Sequence, residues 1–107
     1  MVRECLSDQV KDNQFVSKYD LEVPVTSRML DLVSEVGELS KEILKGSNYG
    51  STSLKSTEDW EEEIGDVYFS LLSLANSTEV SLVKALDKVI YKYEVRLEKK
   101  SKPESCR

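Results

Sequence analysis

The sequence predicts an all-α fold, an antiparallel helical bundle of about four helices that is completed by oligomerisation. Glycine and proline are scarce, with 4 Gly and 2 Pro in 107 residues, which argues against a β fold built on many turns. Apolar residues recur at helical spacing through most of the chain. A chain of this length buries only about two-thirds of its unfolded surface, so pairing of helices between copies would enlarge its core.

Two helices are predicted in the first half of the chain. The first covers about residues 2–18, where the apolar spacing is weak. The second covers about residues 25–45, because Pro24 suits the start of a helix and Gly46 stands where a helix would end. Its apolar positions, three or four residues apart, are Met29, Leu32, Val33, Val36, Leu39, Ile43 and Leu44.

A Gly/Ser-rich loop, residues 46–56, is predicted to separate the second helix from the third. Ser56 or Thr57 is placed to cap the third helix, and the acidic residues that follow suit the positive end of the helix dipole. This helix is predicted to end at about Ala75. Its apolar positions are Trp60, Ile64, Val67, Tyr68, Leu71, Leu72 and Ala75.

The fourth helix is predicted over about residues 79–99, after a short turn at residues 76–78. It is expected to bury its apolar positions, Leu82, Val83, Leu86, Val89, Ile90, Tyr93 and Leu97. Residues 1–99 would then form a single domain, and residues 100–107 a disordered tail.

The composition excludes several classes of function. The chain has no histidine, which rules out a Ser-His-Asp triad, a His-bound zinc site and an imidazole base. Its net charge of −5 and pI of about 4.8 argue against non-specific nucleic-acid binding. Since no apolar run could span a membrane and no signal peptide is evident, a cytoplasmic protein is expected, with Cys5 and Cys106 reduced.

Two matching acidic motifs indicate a metal site. Glu35 and Glu38 in the second helix, and Glu63 and Asp66 in the third, are pairs of acids three residues apart. Such spacing places each pair of side chains about 5–6 Å apart on adjacent turns. If the two helices pack side by side, the four carboxylates converge and repel one another unless a cation lies between them. A hard divalent cation such as Mg²⁺ is the natural occupant.

The placement of the acidic pairs depends on which helix faces are buried. When Val36 and Ile64 are taken as the centres of those faces, both pairs fall at the same edge of the apolar arc. Gly37 and Gly65 lie inside the motifs and cost about 1 kcal/mol each relative to alanine in a helix. Close approach of another helix or a ligand would explain both glycines. The alternative is an ordinary solvated acidic face, in which lysines such as Lys45 pair with neighbouring glutamates.

Three segments resemble the MazG-like family of all-α nucleoside triphosphate pyrophosphohydrolases, whose superfamily includes the dimeric dUTPases, dCTP pyrophosphatases and phosphoribosyl-ATP pyrophosphohydrolase. These segments are EVGEL at residues 35–39, EEIGDV at residues 62–67 and LAN at residues 74–76. The family pattern is ExxE, a spacer and ExxD, and the 24 residues between Glu38 and Glu63 are within its usual range. The resemblance covers about residues 29–96.

This resemblance implies that Glu35, Glu38, Glu63 and Asp66 bind Mg²⁺, with Mn²⁺ as a substitute. It also implies cleavage of the α–β phosphoanhydride of a (d)NTP to a (d)NMP and pyrophosphate, as house-cleaning of the nucleotide pool. The metal would neutralise the triphosphate and lower the pKa of a water molecule, which Glu38 or Glu35 would position or deprotonate. Family members are commonly dimers or tetramers. A homodimer or homotetramer is therefore implied, with a nucleoside triphosphate as its substrate and neither nucleic acid nor membrane as a partner.

Further substrate contacts are implied outside the acidic motifs. Lys92 and Arg96 resemble a family segment, K-F/Y-x-x-R, whose cations face the phosphates; alternatively they only solvate the helix. Asn76 would either hydrogen-bond the nucleotide or cap the turn before the fourth helix. The chain departs from the family at Ser34, where an acid is common, and at Ile90, where Asn is common.

Two other functions fit parts of the pattern. A non-catalytic helical interaction or regulatory module would show no divalent-cation dependence and would tolerate Gln or Lys in the acidic motifs. A di-iron carboxylate bundle normally includes ExxH, which this chain lacks. Trp60 fits either the helical core or base stacking, and Tyr49 in the loop has only its position to suggest a base contact.

Overall fold

Four α-helices make up the computed structural model, which describes residues 6–55 and 59–101 and contains no strand within them. The helices are α1 (Asp8–Lys18), α2 (Val25–Gly46), α3 (Asp59–Ser77) and α4 (Leu82–Ser101). The predicted all-α class is confirmed. None of the helices in the described residues is long and apolar enough to cross a bilayer.

Capping side chains fix the starts of α1 and α4. The hydroxyl of Ser7 accepts a hydrogen bond from the Val10 amide at 3.2 Å, so α1 begins at Asp8. The helix predicted from residue 2 is wrong at residues 6 and 7, which are not helical because Ser7 is the extended capping residue. Residues 2–5 of that prediction lie outside the described residues. Glu79, predicted to begin α4, has a left-handed φ of 57° and cannot continue a helix. α4 begins at Leu82 instead, and the hydroxyl of Ser81 before it accepts a hydrogen bond from the Lys84 amide at 3.3 Å.

The other helix boundaries lie close to those predicted. α2 extends one residue further than expected, through Gly46, and α3 ends at Ser77 rather than at about Ala75. The predicted caps at Ser56 and Thr57 lie outside the described residues. So do residues 102–107 of the predicted tail, while α4 itself continues to Ser101.

α3 lies at the centre of the molecule, packed against α2 and against α1. The core of one chain is small, because few side chains are buried. The buried apolar residues are Val16, Leu72 and Ala75, and the buried polar ones are Asp12, Arg28, Ser70 and Ser73. So small a core is marginal for a chain of this length.

A buried polar network attaches α1 to α3. The Asp12 carboxylate accepts hydrogen bonds from Ser73 Oγ at 2.8 and 2.9 Å and from Asn76 Nδ2 at 3.2 Å. Asn76 Nδ2 also donates to the backbone oxygen of Gln9 at 2.9 Å, and Asn76 Oδ1 accepts from Gln9 Nε2 at 3.1 Å. Because these buried groups satisfy one another, the network fixes α1 on α3 where apolar contacts are few.

α4 leaves the other helices after its first turns. Gln9 Oε1 accepts a hydrogen bond from the Leu82 amide at 2.7 Å and holds the start of α4, but every residue from 90 to 100 is exposed. The radius of gyration is therefore 18.7 Å, against about 13 Å for a compact domain of this length. Of the seven α4 positions expected to be buried, Leu82 and Val89 are half-buried. The expectation is wrong within one chain for the other five residues of this apolar stripe, because no described helix of the chain covers them. The stripe is 44–69% exposed at Val83, Leu86, Ile90, Tyr93 and Leu97.

Gly46 is the glycine at which close packing excludes a side chain. A Cβ atom there would lie 2.7 Å from the Lys55 carbonyl oxygen and 2.8 Å from Trp60 Cζ2. A Cβ atom at Gly37 or Gly65 would meet nothing within 4 Å. The close approach expected at the two motif glycines therefore does not occur within one chain.

This difference predicts opposite effects of two alanine substitutions. Gly46→Ala is expected to lower the free energy of unfolding by about 1–3 kcal/mol, since the indole and the loop backbone must move. Gly37→Ala should raise it by up to about 1 kcal/mol through helix propensity. Urea unfolding of both variants measures the two changes. A Gly46→Ala protein as stable as the wild type would contradict the packing described.

Candidate metal and nucleotide site

Three carboxylates from α2 and α3 converge at one place. Glu35, Glu63 and Asp66 each offer an oxygen atom, and these atoms lie within 4.8 Å of one another. Glu35 and Glu63 are half-buried between the helices, and Asp66 is exposed. We call these three residues the acidic trio. Three of the four residues predicted to bind a metal ion are thus brought together by the packing of α2 on α3.

The helices face each other through a different surface from the one predicted. Val36 and Ile64, expected at the centres of the buried faces, are 47% and 50% exposed. Their neighbours Glu35 and Glu63 are the half-buried residues. α2 and α3 therefore turn Glu35 and Glu63 towards each other and leave Val36 and Ile64 outside. Other predicted apolar positions, among them Leu39 and Val67, are half-buried. The spacing of apolar residues predicts which face of a helix is buried, but it does not predict which other helix packs against that face.

Electrostatic repulsion within the site favours a bound cation. The pKa of Glu63 is raised, first by desolvation and then by the carboxylates of Asp66, Glu38, Glu42 and Glu35. In the part of the chain that the structure describes, no Lys or Arg side chain forms an ion pair with any member of the acidic trio. Oxygen ligands with uncompensated negative charge are the donor set that Mg²⁺ and Mn²⁺ prefer. The residues present therefore fit a hard divalent cation.

Two further glutamates on α2 lie near the acidic trio. Glu38 is exposed and outside the trio, although its charge contributes to the raised pKa of Glu63. Glu42 was not assigned to the site from the sequence, yet its side chain is only 19% exposed and its charge acts on Glu63 as well. It accepts a hydrogen bond from Lys45 Nζ at 3.3 Å. The signal in the sequence is its distance of seven residues, two helical turns, from Glu35.

The predicted substrate-binding residues lie away from the acidic trio. Lys92 and Arg96 are exposed on α4, and Lys92 Nζ lies 5.2 Å from the centroid of the adjacent Tyr93 ring. Because residues 90–100 of α4 are exposed and no described helix covers them, one chain does not bring these cations to the carboxylates. Asn76 fastens α1 to α3 through Asp12 and Gln9.

The two aromatic residues considered for base contacts differ in their surroundings. Trp60 is half-buried, donates from Nε1 to the backbone oxygen of Glu42 at 3.4 Å and packs on Gly46. These contacts favour the core interpretation. Tyr49 is 65% exposed in the loop after α2 and has a φ of 57°.

Residues 24–100 match the sequence model of the MazG nucleotide pyrophosphohydrolase domain. YpjD of Bacillus subtilis (strain 168), a protein of uncharacterised function, is 46% identical over 71 residues, which are 64% of this chain and 62% of YpjD. The match thus spans less than two-thirds of that relative's length.

Two solved structures are also similar. The crystal structure of Bacillus subtilis YpjD, described as a candidate pyrophosphatase, has a TM-score of 0.68 at 35% identity and covers 87% of this chain and 98% of its own. The crystal structure of a Bacillus-conserved MazG protein, a nucleotide pyrophosphohydrolase, has a TM-score of 0.69 at 27% identity. It covers 87% of this chain and 93% of its own.

Proposed function

Because the chain belongs to the MazG nucleotide pyrophosphohydrolase family, we propose that it is a Mg²⁺-dependent hydrolase of nucleoside triphosphates. One water molecule is added across the α–β phosphoanhydride of a (d)NTP. The oxygen of that water joins the α-phosphorus, pyrophosphate leaves, and a (d)NMP remains. The observation that carries this proposal is the convergence of Glu35, Glu63 and Asp66, with which no Lys or Arg of the described residues forms an ion pair. The role would be house-cleaning of the cytoplasmic nucleotide pool.

In this proposal the acidic trio holds the cation. Mg²⁺ commonly keeps several water molecules and binds one or two carboxylates together with substrate phosphates. When bound, the cation neutralises phosphate charge and makes a water molecule more acidic, which explains how a chain without histidine hydrolyses a phosphoanhydride. Glu38 would complete the ligand set, because it lies one turn from Glu35 on α2.

A carboxylate outside the tight cluster is suited to accept the proton of the attacking water. Glu38 is exposed and three residues from Glu35, so its Oε atoms are accessible beside the trio. Glu35 is the alternative, although its half-buried position between the helices suits a ligand better than a base. Proton transfer by a positioned side chain typically contributes about 10²–10⁴-fold to a rate.

The exposed stripe of α4 supports an oligomeric active form. Its members recur at alternating steps of three and four residues, which is the spacing of helices that pack against one another. Val36 and Ile64 present exposed apolar surface next to the acidic trio. A second copy that covered these surfaces would remove from water the apolar area that one chain leaves open. A homodimer or a homotetramer provides such a copy.

Oligomerisation would also bring Lys92 and Arg96 to the substrate phosphates bound by another copy. Lys92 follows Ala85 by seven residues, and Arg96 follows Val89 by seven, so both cations lie on the face of α4 whose earlier residues are half-buried. α4 carries them past the helices of its own chain, so the phosphates that they would bind are those held by another copy. Arg and Lys side chains bind phosphate oxygens through charge-assisted hydrogen bonds.

The test is incubation of the purified protein with a panel of NTPs and dNTPs in Mg²⁺ or in EDTA, with products separated by anion exchange. The proposal predicts Mg²⁺-dependent formation of monophosphate and pyrophosphate. Diphosphate and orthophosphate as products would contradict α–β cleavage. A folded protein that turned over none of the nucleotides would favour the non-catalytic interaction module.

A further inference from the structure

A pocket lies between α1, the start of α2 and the end of α3. Its volume is about 180 Å³. The residues that line it include Asp12, Asn13, Val16, Val23, Arg28 and Ser73. No member of the acidic trio lines this pocket.

The pocket and the acidic trio lie along the same faces of α2 and α3. Arg28 precedes Glu35 by seven residues on α2, and Ser73 follows Asp66 by seven residues on α3. Seven residues bring a helix back to within about 20° of the same face and advance it by about 10.5 Å. Glu35 lies near Asp66, and Arg28 and Ser73 line the same pocket. α2 and α3 therefore run antiparallel, and both seven-residue steps lead away from the acidic trio in one direction. The pocket is therefore one nucleotide's length from the carboxylates, on the same side.

Arg28 gives the pocket a buried donor. Its side chain is 8% exposed, and one guanidinium nitrogen donates to the Leu21 carbonyl oxygen at 2.6 Å. Among residues 6–55 and 59–101, no carboxylate forms an ion pair with it. The Asp12 and Glu22 carboxylates line the same pocket, and no buried polar side-chain atom of the described residues lacks a hydrogen-bond partner. A guanidinium nevertheless has five N–H donors, so Arg28 keeps donors that the Leu21 carbonyl oxygen does not use. These features indicate a ligand that accepts hydrogen bonds.

Asp12 gives the pocket a buried acceptor. It is 5% exposed and accepts from Ser73 and Asn76, but a carboxylate has about four acceptor positions. Val16 and Val23 supply apolar walls. A flat ring with a donor and an acceptor at its edge would match this combination of groups.

The size of the pocket restricts that ring. A cavity of about 150 Å³ holds one benzene molecule, so a pocket of about 180 Å³ suits a single six-membered ring better than two fused rings. We propose that this pocket binds the pyrimidine base of the substrate, so that pyrimidine nucleoside triphosphates are hydrolysed in preference to purine ones. This inference rests on the proposed function, whose site it extends from the phosphates to the base.

The first test compares kcat/KM for dCTP, dTTP and UTP with that for dATP and dGTP. A preference of about tenfold or more for the pyrimidines is expected, because a mismatch of fit in a pocket costs about 1–3 kcal/mol. Asn13→Phe should fill the pocket from its exposed edge and lower kcat/KM for pyrimidine substrates about tenfold, mainly through KM. Gln14→Phe is the matched control, since Gln14 is the next exposed residue of α1 and should leave kcat/KM unchanged.

The second test is independent of hydrolysis. Deoxycytidine, thymidine and deoxyadenosine carry no phosphate, so the acidic trio does not repel them. Titrated without metal into ¹⁵N-labelled protein, the pyrimidine nucleosides should shift the amide signals of Val16, Val23 and Ser73 in the wild type but not in Asn13→Phe.

The outcomes separate this inference from the proposed function. Pyrophosphate release without a pyrimidine preference, and with no shift at the pocket, would overturn the base pocket and leave the proposed function intact. Absence of pyrophosphate release from every nucleotide would overturn the proposed function, and nucleoside shifts at the pocket would then still show binding there. Equal losses in Asn13→Phe and Gln14→Phe would also overturn the base pocket.

Discussion

Replacing Glu63 by glutamine is expected to raise the stability of the metal-free protein and to abolish its hydrolytic activity. Desolvation and the surrounding carboxylates raise the pKa of Glu63 above its ordinary value of 4.5. The folded chain therefore holds this proton more tightly than the unfolded chain does, and stability falls as pH rises from about 4.5 through the raised pKa. At neutral pH the substitution removes a repelled charge, so Tm should increase in EDTA.

The same substitution removes a carboxylate from the acidic trio. Loss of several kcal/mol of charge stabilisation in the transition state corresponds to a fall in kcat of about 10²–10³-fold or more. Addition of Mg²⁺ should raise the Tm of the wild type but not of Glu63→Gln, because binding to the folded state alone is stabilising. Glu62→Gln is the matched control: it removes the adjacent, exposed carboxylate of α3 and should leave activity and the Mg²⁺ response unchanged.

Measurements of Tm and kcat on both variants decide this prediction. A Glu63→Gln protein that keeps full turnover would remove Glu63 from the site. A lower Tm in EDTA at neutral pH would contradict the repulsion described between Glu63 and its neighbours.

A charged residue in the exposed apolar stripe of α4 should dissociate the oligomer into single chains. Ile90 is 44% exposed in the single chain, so Ile90→Asp should leave the helix content nearly unchanged. If a second copy covers this residue, the loss of a buried isoleucine costs about 1.5–3 kcal/mol. That cost corresponds to about 10–10²-fold weaker association, and burial of the new carboxylate adds to it. Activity should fall together with assembly, since Lys92 and Arg96 are proposed to act in another copy.

Light scattering coupled to size exclusion measures the assembly, and circular dichroism the helix content. Lys88→Asp places the same carboxylate on the opposite face of α4 and should leave the assembly intact. An Ile90→Asp protein with unchanged mass and activity would show that the stripe is not an interface. A wild type that is monomeric and fully active would remove the oligomer from the proposed function.

Most of the fold could be predicted from the sequence, because proline and glycine have a strong and well-defined effect where a helix begins or ends. Pro24 and Gly46 bracket α2 to within one residue, and the spacing of its apolar side chains requires a helix between them. The start of α4 was wrongly predicted at Glu79, because a single left-handed residue in a short turn does not change the spacing of the apolar residues. The buried contact of Asp12 with Ser73 was missed for a related reason, since apolar periodicity does not detect a polar contact between helices.

The candidate site was predictable in its residues and less so in its geometry. Glu35, Glu63 and Asp66 converge as the paired motifs predict. The motif spacing could not show that these carboxylates, rather than Val36 and Ile64, turn towards the facing helix. An apolar stripe has the same spacing whether a helix of its own chain or of another copy covers it, so a single sequence does not distinguish the two.

The central claim, that the acidic trio binds a divalent cation, is tested most directly by electron paramagnetic resonance of Mn²⁺. Free Mn²⁺ gives a six-line spectrum whose intensity falls on binding, so titration of the metal-free protein measures affinity and stoichiometry. We predict that the wild type and Glu62→Gln bind Mn²⁺ in competition with Mg²⁺, and that Glu63→Gln binds it at least about tenfold more weakly. A folded wild type that leaves the free Mn²⁺ signal unchanged would contradict the account.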